Sequence, residues 1–209
     1  MTQYPPVKID DAYLKARQVM LQARNDLEKI AGRLQQSGYQ FAYPKYVFEP
    51  PTGDIRARIE ELEALIGPLP IFLRAAFEFL GSWNFMGDHP DWPKSAHVRL
   101  RPVKNEQDVW FTDPFVFCSL QMIWDDTEGW DGSSDFLLSF SGDAMTKAGY
   151  SGGLYSIKIP SQEADPLILG EEEKLSFIEY LRQSLRYGGF AGFEKIPERP
   201  QKFINILLA

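Results

Sequence analysis

One five-residue stretch, 149–153, matches the G-x-S-x-G pattern that presents the nucleophilic serine of many hydrolases. In those enzymes the serine lies between a strand and a helix, and the catalytic histidine follows it in the chain. Here residues 154–159 are predicted to form a strand, and both histidines, His89 and His97, precede Ser151. The context therefore favours a glycine-rich turn between strands over a serine nucleophile.

The single cysteine, Cys118, could act as a nucleophile if the fold placed a histidine beside it. Its apolar neighbours Phe117 and Leu120 are more typical of a small buried side chain. A lone cysteine forms no internal disulfide, and this fits a reducing compartment. We therefore predict no catalytic role for Cys118.

The remaining polar residues match no known metal or cofactor pattern. His89 and His97, with Asp88 and Asp91, lack the spacing of a metal site, and the acidic run 125–131 is not spaced like a calcium loop. The chain contains neither a P-loop nor a dinucleotide-binding fingerprint. The sequence thus predicts no metal and no cofactor. A pair of catalytic carboxylates stays open, because the fold alone sets their separation.

Negative charge is concentrated in the middle of the chain. The net charge is −7, and no basic residue occurs between Lys104 and Lys147, a window that holds nine carboxylates. Without those nine groups the rest of the chain would carry a charge of +2. An acidic field of this kind disfavours nucleic acid and favours a basic protein partner, although it also suits a merely solvated face.

Composition and apolar runs point to a globular protein outside the membrane. Hydrophobic residues make up 44% of the 209 residues, enough for a sizeable core. The most apolar helical segment, 70–80, is interrupted by Arg74 and Glu78, so no membrane span is predicted. The first residues show no secretory signal pattern. We therefore expect a cytoplasmic protein, whose oligomeric state the sequence leaves undetermined.

Residues 10–37 are predicted to form a long helix, because apolar residues recur three and four positions apart throughout. The seam positions are Tyr13, Ala16, Met20, Ala23, Leu27, Ile30 and Leu34. Asp10 or Asp11 would cap this helix and Gly38 would end it. Such a seam packs against another helix, and packing within the chain is favoured over packing against a second chain.

An aromatic and proline-rich connector, 39–53, is expected to lie extended over the body. Asp54 would then cap a helix over 55–66, which Gly67 ends. Pro70 suits the first position of a further helix, 70–80, that Gly81 would end. The turn Gly-Pro-Leu-Pro thus has a complete structural explanation that requires no chemistry.

From residue 82 onward, short β-like segments alternate with turns. The predicted strands are 83–85, 97–102, 109–112, 115–118, 136–140 and 154–159. Helices are predicted within 119–131, from 171 to the glycines at 188, and over 200–208. Helices first, a strand meander next and helices last indicate an α+β fold with a mainly antiparallel sheet flanked by helices. We expect two parts: 1–53, the long helix and its connector packed on the body, and 54–209, one globular unit.

The segment 59–87 resembles the signature of the SUKH superfamily, the group of fungal cell-wall assembly regulators and bacterial toxin-immunity proteins. The matching positions are Leu62, Glu63, Gly67, Leu69, Pro70 and Gly81. The segments HPDWP, DPFVF and FIEYLRQSLRYGGFAGFE are similar to uncharacterised bacterial proteins allied to that group. The likeness covers about 55–195. It implies an α+β fold and a non-catalytic, protein-binding role, often the neutralisation of a toxin.

Two functional hypotheses follow. The first is a cytoplasmic protein-binding module, of the immunity type, whose acidic middle meets a basic protein. The second is a small hydrolase whose carboxylates converge in a cleft near 83–92 and 125–131. The turn 83–92 and the acidic run hold the candidate partner-binding residues, although Trp83 also suits the core. These candidates are Trp83, Asn84, Asp88, His89, Asp91, Trp92, Asp125, Asp126, Glu128 and Asp131.

Overall fold

A computed structural model describes residues 11–92, 94, 97, 100, 109–170 and 174–209. Within these residues the chain is α+β, as the sequence predicts, with helices packed on antiparallel strands. No helix among them is both long enough and apolar enough to cross a bilayer.

The first helix, α1 (Asp11–Ser37), is built on the predicted seam. Six of its seven seam residues are buried, and the first, Tyr13, is partly buried. The helix ends where predicted, because Gly38 adopts a φ of +93° that the helix cannot continue through. The prediction that α1 packs within the chain is confirmed, since it contacts the segment 71–80 and two C-terminal helices described below.

The predicted connector 39–53 is extended only in part, because a turn interrupts it between two short strands. It contains β1 (Gln40–Phe41), a 3₁₀ turn (Pro44–Tyr46) and β2 (Phe48–Glu49). Strand β1 pairs with β4 (Gly87–Asp88), and β2 pairs with β3 (Ser82–Asn84). The prolines explain the interruption, because proline donates no hydrogen bond to a neighbouring strand.

The next helices form the predicted helix–turn–helix. Helix α2 (Ile55–Ile66) follows Asp54, whose side chain makes no capping hydrogen bond, and ends at Gly67. Helix α3 (Ile71–Ala75) continues into a wider π turn (Ala76–Leu80) that Gly81 ends with a φ of +77°. The prediction of a scaffold role for this turn is supported, because Leu69 is buried and its N–H donates to Glu63 Oε1 at 3.0 Å.

The described strands pair in three antiparallel groups, of which one is the β1–β4 pair and the other two lie side by side in one layer. Antiparallel pairing joins β3 to β5 (Val116–Phe117) and β6 (Phe136–Gly142) to β7 (Leu154–Ile159). A hydrogen bond from Cys118 N to Phe140 O, 2.9 Å long, links β5 to β6. The strand order across the layer is therefore β2, β3, β5, β6 and β7.

Large side chains on one face of this layer, the inner face, pack against helices. Phe117 contacts Phe77 of the π turn and Phe177 of α6 (Phe177–Arg186). Phe140 contacts Phe177 and Tyr180 of the same helix. The residues that alternate with these large side chains point to the opposite face, which we call the outer face.

Several predicted elements need correction. Residues 109–112 form no strand; Trp110 makes only an isolated bridge, and the chain turns at Asp113, whose φ is +48°. Helix α6 begins at residue 177 rather than near 171, because the side chains of Ser176 and Glu179 form a capping box. The predicted strand 97–102 falls mostly outside the described residues.

Two short helices and one late helix complete the description. Helix α4 (Leu120–Thr127) lies within the predicted range, and α5 (Ala144–Ala148) was not predicted. A 3₁₀ turn (Ala191–Lys195) precedes α7 (Gln201–Leu208), which matches the predicted last helix.

Candidate functional site

The outer face of the sheet carries a cleft of about 840 Å³. Its floor is made of small side chains from three adjacent strands. These are Ser82, Asn84, Val116 and Ser139. Ser141 also lines the cleft, but it follows a β-bulge and pairs with the buried Tyr155. Because large residues alternate with the floor residues and fill the core, the small residues leave room above the sheet. The cleft is thus a consequence of the small–large alternation in the strand sequences.

Three large apolar side chains stand exposed around this cleft. Tyr46 is 56% exposed, Met122 is 58% exposed and Leu154 is 55% exposed, and all three line the cleft. They come from the connector, from α4 and from the start of β7. Exposed apolar side chains grouped around a depression are typical of a binding surface.

The exposed charged side chains that line the described part of the cleft are both carboxylates. Glu49 lies at the end of β2 and accepts a hydrogen bond from Ser82 Oγ at 3.1 Å. Asp126 lies on α4. With no exposed cation among these lining residues, the local field favours a positively charged group.

A tightly hydrogen-bonded turn forms one end of the cleft. Asp143 caps α5 by accepting the Thr146 N–H at 2.8 Å, and its second oxygen accepts the Gly153 N–H at 2.6 Å. Burial raises the pKa of Asp143, but these backbone hydrogen bonds lower it further, so that the pKa is below its ordinary value. The turn is therefore held in place by an ionised aspartate.

A buried ion pair lies behind the cleft. Lys147 lines the cleft but is only 2% exposed, and its Nζ lies 2.5 Å from Asp113 Oδ1 and 2.7 Å from Tyr180 OH. The ammonium also faces the rings of Tyr155 and Tyr180, at 4.8 and 5.0 Å from their centres. No local sequence pattern marks this cluster, because its members come from four separated parts of the chain.

The candidates at the end of the predicted turn 83–92 are not exposed as a partner-binding role requires, because most of their side chains are buried. Asp88, His89 and Trp92 are 5%, 3% and 2% exposed. Trp92 lies among aromatic rings of the C-terminal part, including Phe190 and Phe193. Of the predicted candidates in this turn, only Asp91 is exposed.

His89 serves as a structural link. Its Nδ1 accepts the Asp91 N–H at 3.1 Å, so its Nε2 donates to the carbonyl of Ser37 at 3.0 Å. Asp88 in turn accepts the His89 N–H at 2.8 Å. These bonds tie the turn to the end of α1, and they leave both ring nitrogens occupied.

Trp83 also belongs to the hydrophobic core, which is the alternative stated for it in the sequence analysis. It is 1% exposed, its ring stacks on Phe48 at 4.3 Å, and its Nε1 donates to Leu80 O at 2.9 Å. Its neighbour Asn84 points to the outer face and lines the cleft, where its Oδ1 accepts the Met86 N–H at 3.0 Å. Asn84 is thus the one candidate from 83–92 whose side chain lies on the cleft floor.

The acidic run divides between the cleft and the solvent. Asp126 lines the cleft, whereas Asp125, Glu128 and Asp131 are exposed and do not. Asp125 accepts a hydrogen bond from Gln121, and Asp131 accepts the Ser133 N–H at 2.9 Å. The carboxylates predicted to converge from 83–92 and 125–131 do not share the cleft, because neither Asp88 nor Asp91 lines it. The pair that shares the cleft is Glu49 and Asp126.

The two potential nucleophiles lie in settings that support the structural interpretation. Ser151 is in an exposed turn that leads into β7, without the helix that an elbow requires. Cys118 is buried, and its thiol donates to Ser139 O. Burial, with a smaller contribution from Asp126, raises the pKa of Cys118 to about 12, so the thiol is protonated at neutral pH.

A comparison with known proteins finds no matching family model, no matching curated protein and no matching solved structure. The resemblance to the SUKH superfamily therefore stays a prediction. Within the described ranges, no group of three or more histidine, cysteine, aspartate or glutamate side chains is arranged to hold a metal ion.

Proposed function

We propose that this chain is a non-catalytic protein-binding module that receives an extended, basic segment of a partner protein in the outer-face cleft. The observation that carries this proposal is the combination of three exposed apolar side chains, Tyr46, Met122 and Leu154, with two exposed carboxylates around one cleft. Apolar anchors surrounded by charge are the usual composition of a protein interface.

The floor of the cleft suits a polypeptide. Serine hydroxyls and the Asn84 amide can both donate and accept hydrogen bonds, as an extended backbone requires. The basic character of the segment follows from Glu49 and Asp126, which line the cleft. A thiol that is protonated at neutral pH is a poor nucleophile, which supports the non-catalytic assignment. A single cysteine, which can form no internal disulfide, fits a reducing, cytoplasmic location.

The test is a selection of displayed random 16-residue peptides on the wild-type protein, followed by affinity measurements on the enriched peptides. We expect enrichment of lysine and arginine next to apolar residues. Ser139→Trp, which fills the cleft floor, should weaken binding at least tenfold. Ser133→Trp is the matched control, because Ser133 is an exposed serine outside the cleft. Equal binding to both variants, or no enrichment on wild type, would contradict the proposal.

The charge component can be separated from the shape component. Glu49→Gln with Asp126→Asn should lower the association rate of the enriched peptides, with a smaller change in dissociation. Asp125→Asn with Glu128→Gln removes the same charge from the neighbouring surface and should have a weaker effect. The difference should fade as salt rises, because the screening length is about 8 Å at physiological ionic strength. Identical association rates at low salt would show that the cleft carboxylates do not steer binding.

Toxin neutralisation is the specific form of this function that the resemblance to the SUKH superfamily implies. It is supported by the acidic lining of the cleft, which suits a basic toxin. Co-expression with the product of the adjacent gene would test it by cell growth. We expect rescue by the wild type and by Ser133→Trp, and loss of rescue with Ser139→Trp. A harmless neighbouring product would oppose the immunity role and leave peptide binding to be judged separately.

A further inference from the structure

Four leucines on the outer face stand far more exposed than their apolar character favours. We call Leu137, Leu154, Leu167 and Leu169 the leucine patch, and each is between 46% and 55% exposed. Single exposed leucines are common on the surfaces of water-soluble proteins, whereas a contiguous group of exposed leucines marks an interaction site.

Strand register makes the patch contiguous. Leu137 pairs with Lys158, and Ser139 pairs with Ser156 on the neighbouring strand. Leu169 pairs with Ser156 from the other side, and the buried Ile168 separates it from Leu167. Because alternate residues share a face, the four leucines surround Ser156 and Lys158 on the outer face.

The patch is continuous with the cleft. Leu154 belongs to both, since it lines the cleft and lies two residues from Ser156 on β7. Ser139 on the cleft floor and Ser156 within the patch are in contact, with their hydroxyl oxygens 2.8 Å apart. The cleft and the leucine patch therefore join at Ser139 and Ser156 and form one continuous surface.

The described charges beside the patch are of both signs, whereas the exposed charges in the described part of the cleft are both negative. Lys158 is paired with Asp135, whose oxygen lies 2.6 Å from its Nζ. The exposed Glu163 lies beside Leu167, and the exposed Lys174 lies next to Leu175, whose carbonyl accepts the Ile168 N–H. A second copy of this chain carries the same net charge of −7 and would be repelled by this surface. A basic partner would instead complement Glu163 and the two cleft carboxylates.

We infer that the partner contacts the cleft and the leucine patch together, as one basic protein with an apolar surface beside its basic segment. This inference rests on the proposed function and extends it by stating where the partner's contact continues. A specific interface needs about 800 Å² from each partner, so a contact that covers both surfaces is favoured over one confined to either of them. In this arrangement the cleft carboxylates increase the association rate of the partner, and the leucines of the patch decrease its dissociation rate.

The experiment uses the enriched 16-residue peptides, each of which can span about 53 Å when extended and so reach from the cleft onto the patch. Their dissociation rates are measured on the wild type and on Leu167→Ser with Leu169→Ser. The matched control is Leu14→Ser with Leu65→Ser, two leucines of similar exposure on α1 and α2. Thermal unfolding of each variant confirms that it is folded.

We expect at least one group of peptides to dissociate tenfold faster from the patch variant and unchanged from the control. Equal dissociation of every peptide from the patch variant and the wild type would overturn the inference, while Ser139→Trp could still abolish binding and so uphold the proposed function. Dissociation that accelerates equally in the patch and control variants would also overturn it. Insensitivity to Ser139→Trp would instead refute the proposed function.

Discussion

The two faces of the sheet are built from opposite kinds of side chain. On the inner face, Phe117 and Phe140 are 1% and 0% exposed and touch aromatic rings of α6. On the outer face, strand β6, which also contains Phe140, presents Ser139 and the 54% exposed Leu137. The same strand therefore presents a filled core to one side and an open surface to the other.

Under the proposed function, this difference separates the residues that stabilise the fold from those that bind the partner. Side chains that fill a core are costly to change, because their removal leaves a cavity. Small side chains on an exposed face can change at little cost to the fold, so that face can be shaped for a partner. Predictions that compare matched positions on the two faces test this separation directly.

The largest expected effect is on the inner face. Phe140→Ala should lower the free energy of unfolding by about 4 kcal/mol, because the ring is fully buried among other aromatic rings. Ser139→Ala, one residue away on the outer face, should cost about 1 kcal/mol for one lost hydrogen bond. Guanidinium unfolding of both variants measures the difference. Similar losses would show that the two faces do not differ in this way.

The buried ion pair behind the cleft and the exposed ion pair on the outer face should differ in the same direction. Lys147→Met should cost about 3 kcal/mol, because it leaves the buried Asp113 carboxylate without its ammonium partner. Lys158→Met removes an exposed partner of Asp135 and should cost less than about 1 kcal/mol.

Urea unfolding of these single variants, and of Lys147→Met combined with Asp113→Asn, provides the check. The double variant should be less destabilised than the sum of its two single changes, because a neutral amide needs no counter-charge. Additive losses would argue against direct coupling between Lys147 and Asp113.

A smaller, pH-dependent effect is expected at the turn that ends the cleft. Asp143→Ala should cost about 1 kcal/mol at neutral pH through loss of the helix cap. The folded pKa of Asp143 lies below its unfolded value, so its stabilising contribution is present above the unfolded pKa of about 3.9. That contribution is lost as pH falls through the lower, folded pKa.

Unfolding between about pH 7 and pH 2 should therefore show a wild-type advantage over Asp143→Asn that shrinks in acid. The asparagine keeps an acceptor for the cap but does not titrate. A constant difference between the two proteins across this range would show that Asp143 does not contribute through its charge.

The smallest effect concerns Cys118, for which we expect almost no reactivity in the folded protein. A pKa of about 12 leaves few thiolate groups at pH 8, so alkylation should be roughly 10³-fold slower than in the unfolded chain. Mass spectrometry after timed iodoacetamide treatment, with and without guanidinium, measures the ratio. Rapid labelling of the native protein would reopen the thiol as a candidate nucleophile.

Local sequence patterns determined much of the helical structure. The seam of α1, its end at Gly38 and the helix–turn–helix around Gly67 and Gly81 were all predictable, because helical periodicity and stop signals lie within a few residues. The late start of α6 was also readable, since Ser176 and Glu179 have the spacing of a capping box. That signal was overlooked and the helix was predicted too early.

The site was only partly predictable. Asn84 and Asp126 were among the candidates and line the cleft, whereas Glu49, Met122 and Lys147 were not proposed. A small–large alternation in 82–85, and again at Ser139 and Phe140, is visible in the sequence and indicates an open outer face. The carboxylates around 83–92 were misplaced, because the burial of the 88–92 turn depends on contacts with distant α1 and the C-terminal segment.

The sequence by itself determined the helical seam, the turns, the α+β class and the excess of negative charge in the middle of the chain. Each of these depends on residue type and short spacing. Only the tertiary structure decided that Trp92 and His89 are buried, that Lys147 meets Asp113, and that Glu49 and Asp126 share a cleft. Those outcomes depend on which strands become neighbours, and strand pairing joins residues too far apart in the chain for local patterns to specify.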